Sequence, residues 1–329
     1  MTNRERIIKT IAFETVDFVP HSFEFTVEML EKMKKYTKND NFLQDIGNHI
    51  SSFSLSEPFI EVKSGFFRDE YGVIWDRTKD KDIGVITNKC IASPEDLNNY
   101  DFPAVNEDYI RSIMEQSVSL RDGNFHIVNL GFSLFERAWT LCGMENLLCY
   151  MITDPDFVHK LLGKICDRNL KIISIANEYE YDCFMFGDDW GQQRGLIIGV
   201  PHWREFIKPY LAKMYGAVKD TEHYIAQHSC GDLREIMDDV INLGLNIYQT
   251  FQPEIYGLDY AQKLRGRLTI WGAISTQLDL PYRTQEEMKV ITKKTLEAFC
   301  QGGLIAAPTH AVPRDVPPEN IMAVLSILR

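Results

Sequence analysis

The chain has 329 residues, 45% hydrophobic and 25% charged, with a formal net charge of −12. That balance is ordinary for a globular protein and argues against a nucleic-acid-binding surface. No apolar run approaches the length of a membrane span. Met1-Thr2-Asn3-Arg4-Glu5-Arg6 lacks the apolar core of a secretion signal, and seven scattered cysteines read as the reduced thiols of a cytoplasmic protein rather than a disulfide framework.

Residues 4–14 read as an amphipathic helix with Ile7, Ile8 and Ile11 on one face. Residues 18–25 read as a first buried strand, and residues 26–50 as helical and charged. Residues 55–92 differ from the rest. Short β-like runs at 66–76 and 84–87 surround the charged turn Lys79-Asp80-Lys81-Asp82, which predicts a β-meander inserted in the main domain. From residue 105 the alternation is regular. A helix over 106–121 precedes a strand over 126–131; helices over 133–150 and 154–180 precede a strand over 183–186; and a helix from Pro201 to about 219 leads to a strand at Tyr224-Ile225-Ala226. Further strands fall at 246–250, 268–272 and 304–308, and Pro317-Pro318 opens the last helix. Strands alternating with helices imply a parallel sheet. The number of repeats, without a Gly-rich first turn, predicts a (β/α)₈ TIM barrel spanning 1–329 as one domain, with 55–92 as a β-rich insertion. Seven strands are evident; the eighth is expected to be short or irregular.

In such a barrel the chemistry sits at the C-terminal ends of the strands. The run Gln227-His228-Ser229-Cys230-Gly231-Asp232 lies at one such end. Strand alternation points His228 and Cys230 the same way and Ser229 the other. Gly231 allows a sharp turn, and Asp232 reads as the N-cap of a following helix. A thiol beside an imidazole suits Zn²⁺, and a catalytic zinc needs a third protein ligand. His310, closing the strand 304–308, faces the same mouth and supplies it. The opposing readings are packing residues or a Cys–His nucleophile pair. The pair ranks lower, because neighbours on one strand face point in parallel. Asp188 and Glu136 are candidate proton donors or orienting groups. Phe23, Glu24, Trp190, Gln192 and Gln249 are candidate substrate contacts, with Phe132 and Phe251 as further mouth aromatics. Cys90, Cys142, Cys149, Cys166, Cys183 and Cys300 read as structural thiols.

Several segments together resemble the uroporphyrinogen decarboxylase superfamily, and within it the methyltransferase branch. They are Arg4-Glu5-Arg6 with Glu14, Asp17, Val19 and Pro20; Asp188-Asp189-Trp190-Gly191-Gln192-Gln193 with Pro201 to Pro209; His228-Ser229-Cys230-Gly231-Asp232; Trp271-Gly272-Ala273-Ile274; and Gly302-Gly303-Leu304 through Asn320. The resemblance implies the same barrel. The decarboxylases of that superfamily bind a tetracarboxylate with an Arg-rich segment after the first strand, and here His21-Ser22-Phe23-Glu24-Phe25-Thr26 has no arginine and one acid. The methyltransferase branch implies zinc on His-x-Cys and a later thiolate; this chain has His228 and Cys230, with His310 in the later place. The implied activity is zinc-dependent methyl transfer between a small donor (an aryl methyl ether) or a thiol and the cobalt of a separate corrinoid protein. A homodimer stays open, and neither nucleic acid nor membrane is expected as a partner. The alternatives are a metal-free decarboxylase of another carboxylate substrate and a non-catalytic barrel that binds a small ligand or a corrinoid protein.

Overall fold

A computed structural model describes residues 1–120, 122–299 and 302–328. Seven parallel strands form one curled sheet of the TIM-barrel kind. They are β1 (Ile50–Ser54), β2 (Phe125–Leu130), β3 (Cys183–Gly187), β4 (Tyr224–His228), β5 (Ile247–Phe251), β6 (Thr269–Ile274) and β7 (Leu304–Pro308), each hydrogen-bonded to the next. Side-chain alternation divides them between two cores. Ile50, Ile127, Cys183, Ala226, Ile247, Trp271 and Ile305 fill the barrel interior. Val128, Phe184, Phe186, Ile225, Tyr248 and Ile270 face the surrounding helices. Strands buried on both faces read as continuous apolar runs, which is why most of them were legible.

β1 was not, because Ile50-Ser51-Ser52-Phe53-Ser54 is mostly serine and directly follows the stretch, 26–50, expected to be helical. The helices there are shorter, Val27–Thr37 and Phe42–Asp45. The expected strand over 18–25 is reduced to two isolated bridges, His21 with Ala306 and Phe25 with Val312. Pro20 has no N–H to give a ladder, and Val312 lies beyond the end of β7. The segment still links the sheet edges: Ser22 N–H donates to Ala306 O (3.1 Å), Ala306 N–H to Pro20 O (2.8 Å), and His49 N–H to His21 O (3.0 Å) just before β1. Between β2 and β3 there are three helices rather than two. Gly143, at φ 89°, separates Phe135–Cys142 from Met144–Thr153, and Pro155–Ala176 follows.

Residues 60–86 form a separate antiparallel sheet of four strands, Ile60–Lys63, Phe66–Arg68, Ile74–Asp76 and Val85–Ile86. Buried charge fastens it to the barrel helices. Asp69 accepts from the N–H groups of Tyr71 (3.0 Å) and Val73 (2.9 Å), and from Arg137 Nη1 (2.7 Å). The Tyr71 ring lies between the Arg137 and Arg168 guanidiniums, at 4.0 and 4.8 Å. Arg168 in turn pairs with Glu70.

Arg6 holds the closing segment. Helix Asn3–Ile11, capped by Thr2 with Glu5 reaching back, presents it inward. Arg6 grips Asp17 through two bonds (2.7 and 2.9 Å), lies 3.8 Å over the Phe18 ring, and donates to His49 Nε2 (3.2 Å). Guanidinium only donates, so Nε2 of His49 accepts and its Nδ1–H gives to His21 O (3.2 Å). Burial, with His21 and Arg6 alongside, lowers His49 to about 4. An imidazole held neutral in the folded state, but titrating near 6.5 when unfolded, makes the unfolded chain bind more protons between those values. Stability is therefore expected to fall by up to about 3 kcal/mol as pH drops from about 6.5 to about 4. Urea midpoints across that range, read against His49→Gln, check this; equal pH dependence in both proteins would contradict it.

Candidate metal centre

The site is assembled where two loops touch. Gly191, after β3, and Gly231, after β4, are so close that a Cβ on Gly231 would stand 2.3 Å from the Gly191 carbonyl carbon. Gly231 also has φ +85°. Only glycine serves at such a crossing, and the crossing sets Asp189 against Cys230. Asp232 takes its place there by donating its N–H to Gln192 O (2.9 Å). It does not cap a helix directly: its carboxylate binds Arg234, and the helix begins at Met237.

His228 ends β4. Its Nδ1 is 2.8 Å from Gln249 Oε1. With Nδ1–H donating there, Nε2 presents a lone pair to the mouth. Cys230 Sγ lies 3.9 Å from that Nε2, and Thr250 Oγ1 lies 3.8 Å from the sulfur. The His310 ring stands 5.9 Å from the His228 ring, centre to centre. Among the described residues, His228, Cys230 and His310 offer donor atoms all within 4.8 Å of one another. Tetrahedral zinc ligands at ordinary bond lengths stand roughly 3.5 Å apart, so small side-chain rotations bring this set onto one ion. The donor chemistry fits as well. His310 is exposed at the rim but crowded by protein, and this crowding with the neighbouring His228 lowers its imidazole, which favours the neutral ring. Burial, with Asp189 adding to it, pushes the Cys230 thiol up to about 12. A thiolate in that place needs a cation beside it.

The acids divide by position. Asp188 is fully buried and points away from the mouth. It accepts from the N–H groups of Leu134 (3.3 Å), Phe135 (3.0 Å) and Glu136 (2.8 Å), and from Trp190 Nε1 (2.6 Å). It thus caps helix Phe135–Cys142, and burial still raises it to about 6. Asp189 is the acid at the site: Oδ1 accepts the Cys230 N–H (2.8 Å) and lies 3.8 Å from His228 Nε2. Sequence reasoning singled out the wrong member of this pair, although alternation shows that only one of two adjacent side chains can face the mouth. Glu136 is half-buried and raised to about 8 by burial and by Asp189 and Asp188.

The expected substrate contacts scatter. Phe23 and Trp190 are each 1% exposed and belong to the core, as does Phe251. Gln192 is exposed on the loop beyond. Glu24 keeps an open edge but is crowded by protein, which raises its carboxyl. Glu24 and Gln249 do line a cavity of about 40 Å³ together with Ser22, His228, Trp271 and His310. Of the cysteines, Cys142, Cys166 and Cys183 are buried, Cys90 is intermediate and Cys149 is exposed; Cys300 lies outside the described residues.

The uroporphyrinogen decarboxylase (URO-D) model matches residues 74–329. The chain belongs to that family. A methylated-thiol–coenzyme M methyltransferase of Methanosarcina mazei is 22% identical over 203 residues, 61% of this chain and 52% of that protein, so the match spans about half the relative's length. A solved structure, a methyltransferase from Methanosarcina mazei, superposes with a TM-score of 0.73 at 16% identity, covering 99% of this chain and 98% of that one. The fold is thus shared with that structure from end to end.

Two substitutions separate the roles. Were zinc held by His228, Cys230 and His310, Gln249→Ala should weaken its binding about 10- to 100-fold, because the imidazole loses the partner that fixes its tautomer; chelator competition measures it. Asp188→Asn should instead cost about 2–4 kcal/mol of stability, since a carboxamide cannot accept from all four donors. Its bound metal should be unchanged, and loss of metal without loss of stability would contradict the assignment.

Proposed function

We propose that this chain is a zinc-dependent methyltransferase of the cytoplasm. It moves a methyl group between a small donor, such as an aryl methyl ether, or a thiol and the cobalt of a separate corrinoid protein. The observation that carries this reading is the convergence of His228, Cys230 and His310 at the C-terminal end of the sheet, with donor atoms within 4.8 Å. The family assignment and the methyltransferase relatives support it.

Zinc held there would supply Lewis acidity at an ether oxygen, or keep a bound thiol ionised. The chain's own groups do the rest. Gln249 fixes the ring of His228, and Asp189 and Thr250 fix Cys230. Glu136, kept protonated by its surroundings, is placed to give a proton to a departing oxygen. The corrinoid partner must reach the substrate from above, so it docks over the mouth. No helix among the described residues is long and apolar enough to cross a membrane.

Decarboxylation of a polycarboxylate draws no support from the mouth. The cavity beside His228 and His310 is lined by Glu24 and by neither Lys nor Arg, where such a substrate needs cations.

Metal content of the wild type beside His228→Ala, Cys230→Ser and His310→Ala tests the assignment. About one zinc per chain is expected in the wild type and a loss in each variant. The zinc-loaded wild type should then methylate, or demethylate, a reduced corrinoid protein. No zinc in the wild type, even when supplied during purification, would overturn the reading.

A further inference from the structure

The segment that bridges β1 and β7 uses its backbone for the bridge: Ser22 N–H donates to Ala306 O (3.1 Å), and Glu24 O accepts from Val312 N–H (2.8 Å). Its side chains alternate. Phe23 and Phe25 stack together on the core side. Ser22 and Glu24 point the other way and line the cavity beside His228 and His310. Glu24 and His310 are both exposed, so the cavity opens to solvent between them. At about 40 Å³ it holds a short chain of about three water-sized groups next to the metal ligands. The Glu24 carboxyl has no partner in the protein. Crowding by protein raises it, only the His228 charge acts against that, and among the described residues no Lys, Arg or hydrogen-bond donor reaches it. The basic side chains near it in the chain bond elsewhere: Lys32 donates to Arg314 O and Val316 O, and Arg314 pairs with Glu28. A crowded carboxylate without a counter-charge is costly, and a cation from outside would relieve it.

We propose that the small thiol or ether bound beside the metal ligands carries an ammonium group, and that Glu24 seats that group. Glu24 is then a specificity-determining residue. This rests on the methyltransferase reading of the site. Charge balance favours such a ligand. Zinc on two neutral imidazoles and one thiolate keeps a single positive charge, which a ligand thiolate cancels. The charge left over is that of Glu24: an ammonium cancels it, and a second carboxylate doubles it.

Calorimetric titration of zinc-supplemented protein with 2-aminoethanethiol, 2-mercaptoethanol and 3-mercaptopropionate tests this. The three probes carry a thiol on the same short chain, ending in a cation, a neutral hydroxyl and an anion. Their thiols differ in acidity, so the deciding quantity is the effect of Glu24→Gln on each. The variant should bind the aminothiol about tenfold more weakly, the hydroxythiol within about twofold of the wild type, and the carboxythiol more tightly. Zinc content should be equal in both proteins. The wild type alone gives a second check: in about 1 M salt its aminothiol binding should weaken and its carboxythiol binding strengthen. An equal effect of the substitution on all three thiols, no effect on any, or no thiol binding by the zinc-loaded wild type would each overturn the proposal. Failure of the methyltransferase reading shows differently: the charge order persists in a protein that transfers no methyl group.

Discussion

A curled parallel sheet whose two edges are bridged by one short segment is the constraint on which the rest depends. β1 and β7 do not pair directly. Residues 20–25 lie between them and bond to His49 on one side and to Ala306 and Val312 on the other. Arg6 keeps that short segment in place by binding Asp17, covering Phe18 and donating to a neutral His49. Closure is what brings Glu24 and His310 to the rim where His228 stands. One buried guanidinium at the foot of the barrel thereby helps determine the geometry at its mouth.

The mouth itself separates two kinds of polar group. Acids stand on the β2 and β3 side, with Asp189 against Cys230 and Glu136 nearby. The β5 side carries the neutral carboxamide of Gln249. A cation on His228, Cys230 and His310 would lie between them. That arrangement gives one flank for handling protons and another for holding a neutral or anionic acceptor, which suits the breaking of a bond to a heteroatom.

The fold was legible wherever strands were buried on both faces, as at 183–186 and 304–308. It was not legible at β1, where serines interrupt the apolar pattern, or at 18–25, where Pro20 and staggered partners prevent a ladder. The convergence of His228, Cys230 and His310 was legible because His228 and Cys230 share one strand end and His310 follows another. Phe23 and Trp190 were misplaced because an aromatic next to a strand end fits core and mouth equally well from sequence.

The sequence by itself determined the class of fold, the order of the strands from residue 105 onward and the chemistry of the side chains His228, Cys230 and His310, since those follow from local periodicity and residue type. Only the tertiary structure decided which of two adjacent aspartates reaches the thiol. Asp188 turns inward to four donors, and the contact of Gly191 with Gly231 carries Asp189 to Cys230. Such outcomes depend on how separate strands stagger and where their loops collide, and no single stretch of the chain contains that information.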